Sequence, residues 1–209
     1  YKPRKTRMMN GAKSENVNKS GNKLAITPLY HGRLFVWYSS CMQRVLILHN
    51  IRSTYNVGSI FRTAEAALVS KIYLTGFTPA PTDRFGRARK DIHKTALGAE
   101  KMIPWEHTPR IDTLLARLKK EKYYVVGVEQ SEQSVNYRIL KTKQKTVLIF
   151  GNEVRGLSPI VLKQCDTVAE IPIHGKMVRH AHHPRRLRRG KESLNVSVSA
   201  GIILFHFLS

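Results

Sequence analysis

Three short stretches of the 209-residue chain hold most of the side chains that could do chemistry. Asn50, Arg52, Asn56, Gly58 and Arg62 follow the apolar run at 45–49. Gly151, Asn152, Glu153, Arg155, Gly156 and Leu157 follow the run at 146–150. Ser193 and Asn195 follow the run at 168–171, with a long basic segment between. Asn and Glu offer directional hydrogen bonds, Arg grips phosphate or a developing negative charge, and glycine lets backbone approach where a side chain would block it. Backbone groups near Gly151 and Gly156 could hold an adenine or an amino-acid moiety without any charged side chain. Each stretch alone also reads as a structural turn; three dense strand ends in one small domain point to a ligand site. Neither GxGxxG nor GxxxxGK[ST] follows any strand, which excludes the common dinucleotide and P-loop arrangements.

The elements that must position these residues alternate. VLILH (45–49) reads as a buried strand, and Ile60, Ala64, Ala67 and Leu68 then recur at helical spacing. KIYLTGF is a second strand ending at Gly76. The Pro-rich basic loop 78–91 should be exposed and mobile. A short helix is expected around 92–97, a brief strand at 101–104 and an amphipathic helix at 112–120 with Leu114, Leu115 and Leu118 inward. YYVVGVE and TVLIFGNE are further strands. SPIVLKQC is a short helix with Ser158 as N-cap and Pro159 first, and TVAEIPI is a fifth strand. Nearly continuous apolar strands separated by helices imply an α/β fold, a mainly parallel sheet flanked by helices. Ligands in such folds bind beyond the carboxyl ends of the strands, where the three stretches fall.

Charge narrows the partner. Lys+Arg 36 against Asp+Glu 14 gives +22. Of this, residues 1–43 hold eight basic and one acidic side chain and residues 177–190 hold five basic ones, leaving +10 for the rest. So one-sided an excess favours a polyanion such as RNA over a merely solubilising surface. Residues 1–43 form a basic extension expected to be disordered or loosely packed, and 44–209 the main domain. Cys41 and Cys165 make neither a disulfide framework nor a zinc knuckle, which suits a reducing cytoplasm. No run approaches the roughly 18 apolar residues that span a bilayer, so no membrane partner is expected.

The strings NIRSTYNVGSIFRTAEA, VLIFGNEVRGLSP and IPIHG…ESLNVSVSAGIILF resemble, in order, the three motifs of the SpoU/TrmH family of RNA 2′-O-ribose methyltransferases, members of the SPOUT superfamily. The resemblance runs from about residue 45 to 207. It implies that the C-terminal part of the sheet is tied in a deep trefoil knot, a rare exception to unknotted chains. It further implies S-adenosylmethionine in that knot, a homodimer whose active site combines both subunits, and RNA as substrate. Gly151, Ile171 and Leu194 would contact the cofactor, with Phe150, Asn152, Gly156 and Ile173 beside them. Arg62 matches the arginine the family places at the chemical step. Its guanidinium is too weak an acid to serve as a base, so gripping phosphate and stabilising alkoxide charge suits it better. Asn50 and Asn56 would shape its loop, Glu153 would order the knot or pair with an arginine, and Ser193 and Asn195 would close the catalytic side. Arg52, Asn56, Arg155 and the loop residues Arg84, Arg87, Arg89 and Lys90 would touch RNA.

Two departures stand out. Leu68 occupies a position where the family usually has glycine. Residues 177–190 interrupt the expected cofactor loop; without them the chain would read IPIHGKKESLNVSVSAG. This insertion reads either as an outward RNA-binding arm or as a segment that weakens cofactor binding. His174, His180, His182 and His183 have no acidic or cysteine companion, so no metal is expected. Three functions follow: a methyltransferase acting on the ribose 2′-OH of tRNA or rRNA, a knotted RNA-binding protein with impaired or lost catalysis, and a ribosome-associated protein without cofactor.

Overall fold

A computed structural model of the chain describes residues 16–17, 23–24, 43–141, 143–173 and 193–207. In the N-terminal unit, β1 (Asn16–Val17) and β2 (Lys23–Leu24) pair antiparallel. The rest of the extension, including its expected disorder, lies outside the described residues. So does the insertion at 177–190, and with it the course of the chain that would close a knot.

The main unit is a doubly covered sheet. Its strands are β3 (Gln43–His49), β4 (Lys71–Thr75), β5 (Trp105–Thr108), β6 (Tyr124–Val128), β7 (Val135–Asn136), β8 (Lys145–Phe150) and β9 (Thr167–Glu170). They lie in the order β5-β4-β3-β8-β6-β9-β7, and every pairing is parallel. The α/β expectation holds. β3 shows why its run is apolar throughout: Leu46 and Leu48 point to one core, Val45 and Ile47 to the other, and all four are buried. The first core receives α1 (Thr54–Ala66), α2 (Lys90–Ala96), α3 (Ala99–Met102) and α6 (Val196–His206) through Ile60, Phe61, Ile92, Ala99 and Ile203. The second receives α4 (Ile111–Lys120), through Leu114, Leu115 and Leu118, and α5 (Pro159–Leu162), through Val161.

Helix starts follow local chemistry. Ser53 accepts from the amide of Asn56, Ser158 from that of Val161 with Pro159 behind it, and Asn195 from that of Ser197. Each such cap is worth about 1 kcal/mol. Arg44 donates to the carbonyl of Phe207 at 2.7 Å, setting a cation at the negative end of α6. The expected strand at 101–104 is a correction. Residues Ala99–Met102 are helical, held by the Glu100 carboxylate accepting from the Gly98 amide and meeting His93, and the strand begins only after Pro104. Pro104 forces Ile103 out of helical geometry, so the chain breaks there and pairing starts at Trp105. The 78–91 loop is also less exposed than expected, because Thr78 and Pro81 are buried at its base. No helix among the described residues is long and apolar enough to cross a membrane.

Candidate functional site

The sheet changes direction of growth beside β3, which lies between β4 and β8. Loops leaving the carboxyl ends on either side diverge there and open a crevice. The 151–157 loop divides it into two cavities.

That loop is tight. A Cβ on Gly151 would lie 2.6 Å from the carbonyl carbon of Gly156 and 2.7 Å from the amide of Leu157. Gly156 has a φ of +63°, and a Cβ on it would fall 2.0 Å from a Glu129 carboxylate oxygen. Asn152 closes the turn: its Oδ1 accepts from the amides of Val154 and Arg155, and its Nδ2 donates to the carbonyl of Asn50 at 2.8 Å. Glu129 seals the far end, accepting from the amide of Leu157 at 2.7 Å.

The first cavity, about 210 Å³, lies at the ends of β6, β8 and β9. All seven residues expected at the cofactor, Phe150, Gly151, Asn152, Gly156, Ile171, Ile173 and Leu194, line it. Ser193 and Glu153 line it too. Ile173 and Ser193, between which the undescribed residues 174–192 run, both stand at its rim. Sequence reasoning missed Glu129, Gln130 and Glu170, which line it with Val128, Val154, Val196 and Ser199. The strand-end rule that found the other loops applies equally to the end of β6 and would have found Glu129. The lining suits S-adenosylmethionine: apolar Ile171, Ile173 and Leu194 for a purine, glycine backbone at 151 and 156 open to close approach, and the carboxylates of Glu129 and Glu170 for a cation.

The second cavity, about 570 Å³, is lined by His49, Asn50, Arg52, Phe77 and Ser158, and shares Asn152, Val154, Arg155 and Gly156 with the first. His49 and Phe77 are further residues that sequence reasoning missed, although both stand at strand ends. Asn50 adopts a φ of +57°, which Asn tolerates better than most residues. Its Oδ1 accepts from the Phe77 amide, so its Nδ2 faces His49 Nε2 at 2.9 Å. His49 Nε2 is then the acceptor, and Nδ1–H donates to Thr75 Oγ1 at 2.9 Å. Burial pushes the His49 imidazole below its ordinary pKa, so the ring is neutral with both nitrogens occupied. It is a brace, not a base, and Asn50 braces the same turn.

Glu153 ties the crevice together. Its carboxylate accepts from the amides of Arg52 at 2.9 Å and Ser53 at 3.0 Å, and from Asn56 Nδ2 at 3.0 Å. Burial opposes its charge, yet these hydrogen bonds prevail and hold the carboxyl below the usual carboxylate range. Asn56 Oδ1 in turn accepts from Asn195 Nδ2 at 3.2 Å, joining the start of α1 to the start of α6. Of the residues expected at the chemical step, Asn50, Glu153 and Asn195 are thus engaged in holding loops. Glu153 orders its loop through Arg52's backbone; among the described residues it pairs with no guanidinium.

Arg62 stands apart. It is exposed on α1, lines neither cavity, and makes no hydrogen bond or ion pair among the described residues. Arg52 and Arg155 reach the second cavity, whereas Arg84, Arg87, Arg89 and Lys90 lie exposed on the 78–91 loop and the start of α2. Among the described residues no group of three or more His, Cys, Asp or Glu could hold a metal ion, and the four histidines at 174–183 lie outside them.

Comparison with known proteins bears on this crevice. The family model described as "SpoU rRNA Methylase family" matches residues 43–179. A Pseudomonas aeruginosa protein named 23S rRNA (guanosine-2′-O-)-methyltransferase RlmB is 29% identical over 164 residues, 78% of this chain and 58% of that protein. The chain therefore spans little more than half the length of such curated relatives. Among solved structures, an AdoMet-bound rRNA methyltransferase from Sinorhizobium meliloti superposes with a TM-score of 0.64 at 27% identity, covering 79% of this chain and 55% of that one. The A. aeolicus TrmH/SpoU tRNA modifying enzyme superposes with a TM-score of 0.63 at 25% identity, covering 80% and 75%.

Proposed function

The chain belongs to the SpoU rRNA methylase family, and from that premise we propose that it is an S-adenosylmethionine-dependent methyltransferase acting on the ribose 2′-OH of a nucleotide in tRNA or rRNA. The observation that carries this reading is the cavity at the ends of β6, β8 and β9, where all seven expected cofactor residues converge. That convergence, in a chain whose relatives are named as methyltransferases, favours catalysis over a binding protein that has lost it.

When bound, S-adenosylmethionine supplies an electrophilic methyl on a sulfonium. The chain's own part is positioning. Gly151 and Gly156 bring backbone to the cofactor, and Glu129 and Glu170 set negative charge beside it. Arg52 and Arg155 hold the RNA phosphates in the adjoining cavity. His49 is not free to take the 2′-OH proton, since both its ring nitrogens are engaged. Glu153, held ionised by three donors with its pKa below the usual carboxylate range, is a poor base. Arg62 stabilises the alkoxide as its proton leaves to solvent, and grips the adjacent phosphate.

Because Arg62 lies outside both cavities of its own subunit, it serves the site of a second copy. The outer face of α6 supports a homodimer: Val198 and Phe205 are each 50% exposed, with half-buried Ile202 between them on one helical face. A knotted C-terminal part and a cytoplasmic setting, the latter consistent with the free thiol of Cys165, complete the reading.

Transfer of tritium from labelled S-adenosylmethionine into bulk tRNA and rRNA tests it, with digestion to 2′-O-methylated nucleosides. RNA binding without incorporation would instead support the non-catalytic alternative. Removing residues 177–190 separates the two readings of the insertion: equal cofactor affinity marks an outward arm, and tighter binding marks an obstruction.

A further inference from the structure

Beyond the crevice, the 78–91 loop carries a feature that its charge alone does not explain. Its tip is a closed hairpin. Thr82 bridges Ala88, the amide of Asp83 donates to the carbonyl of Arg87 at 2.8 Å, and that of Arg89 donates to the carbonyl of Pro81 at 2.9 Å. Asp83 folds the tip around itself, its Oδ1 accepting from the amides of Phe85 at 2.8 Å and Arg87 at 2.9 Å. Gly86 supplies the positive φ, +77°, that the turn needs. The shape therefore exists before any ligand arrives.

What this scaffold presents is a phenyl ring. Phe85 is 63% exposed, an unusual place for a large apolar side chain on a rigid turn. The guanidiniums of Arg84 and Arg87 lie over the ring at 4.8 and 4.9 Å from its centre. Arg87 also meets Asp83 at 3.4 Å, with the Arg87 side chain 73% exposed, so the pair is weak and easily shared. An aromatic face flanked by two mobile cations matches an unpaired nucleotide: the base for the ring, its phosphates for the cations.

We propose that Phe85 is a stacking platform for an unpaired base of the RNA substrate, with Arg84 and Arg87 passing from the ring to the phosphates on either side of that base. Stacking of a base on an aromatic ring outweighs an exposed cation–π contact, and the displaced guanidinium gains a phosphate, so the exchange runs toward the complex. The platform selects single-stranded or looped RNA, since a paired base has no free face. This rests on RNA being the substrate, as proposed above, and adds to it a specificity element outside the crevice.

The test uses the full chain, a single-stranded oligoribonucleotide carrying 2-aminopurine, and a duplex of the same sequence. Wild type should bind the single strand and quench the fluorescent base. Phe85→Ala and Phe85→Leu should each weaken single-strand binding about tenfold and lose the quench, and Phe85→Trp should restore both. Duplex binding and the melting temperature should not move, because the ring lies outside the core. Unchanged single-strand binding in Phe85→Ala, rescue by Phe85→Leu, or an equal loss on the duplex would overturn the platform while leaving the RNA reading intact. Failure of wild type to bind either RNA would overturn both.

Discussion

The two cavities beside the 151–157 loop share one wall and differ in the others. In the first, Glu129, Glu153 and Glu170 stand among Ile171, Ile173 and Leu194; in the second, Arg52 stands beside the Phe77 ring. Arg155 reaches both. An acidic, apolar recess beside a basic, aromatic one can sort two ligands by charge before either is recognised in detail. A sulfonium with a purine suits the first, and a phosphodiester with a base suits the second. The dividing loop fixes the distance between them, which is the quantity a transfer reaction depends on.

This division can be broken in graded steps. The largest effect is expected at neither cavity. Arg62→Ala should lower methyl incorporation by about a thousandfold or more, with cofactor affinity and melting temperature unchanged. If Arg62 serves the partner's site, mixing that variant with Gly151→Ala should recover about a quarter of wild-type activity, from mixed dimers with one intact site. Gly151→Ala alone should abolish cofactor binding in calorimetry, since its Cβ would fall within 2.7 Å of two backbone atoms. RNA affinity should survive, and loss of both would mean that the cavities are not separable.

A smaller effect belongs to the second cavity. Arg52→Ala and Arg155→Ala should each raise the KM for RNA about fivefold and reduce the salt dependence of binding by about one ion, with Arg52→Ala sparing cofactor affinity. Glu153→Gln should cost about 1–2 kcal/mol, because one carboxylate serves three donors. The sign with pH follows from its depressed pKa. The Glu153 contribution is fully present above the ordinary carboxylate pKa of about 4.3 and is lost as pH falls through the lower folded value. Urea titrations from pH 6 downward should show wild type losing stability in a range where Glu153→Gln does not.

The smallest effect has the opposite sign. Leu68, half exposed at the end of α1, holds a φ of +53°, with its amide on the carbonyl of Glu65 and that of Val69 on Ala64. This is the position where glycine ends a helix without strain. Leu68→Gly should raise stability by about 1 kcal/mol in thermal unfolding and leave both affinities alone.

Much of this was legible beforehand because it depends on short-range pattern. Continuous apolar runs marked strands covered on both faces. Ser158 followed by Pro159 marked a helix start, and the loops after 49 and 150 marked ligand positions. The brief strand at 101–104 misled because the apolar pair Met102–Ile103 before Pro104 is too short for its pattern to tell strand from helix. The helix there depends on Glu100 meeting Gly98 and His93, partners that a periodicity does not encode. Glu129 and Phe77 were overlooked for a different reason: they matter only through distant loops that fold back onto them, Leu157 onto Glu129 and Asn50 onto Phe77.

By itself, then, the sequence determined which elements form, that the sheet is parallel, and which loops hold the chemistry, since apolar period, capping residues and glycine positions act over a few residues. Only the tertiary structure decided what those loop residues do. Parallel pairing of β3 with β8 sets Asn50 and Glu153, about a hundred positions apart, within one hydrogen-bonded web. That web occupies Asn50, Glu153 and Asn195 as braces and leaves Arg62 outside it. The physical reason is that a polar side chain's role depends on which partners its donors and acceptors find, and those partners come from distant strands.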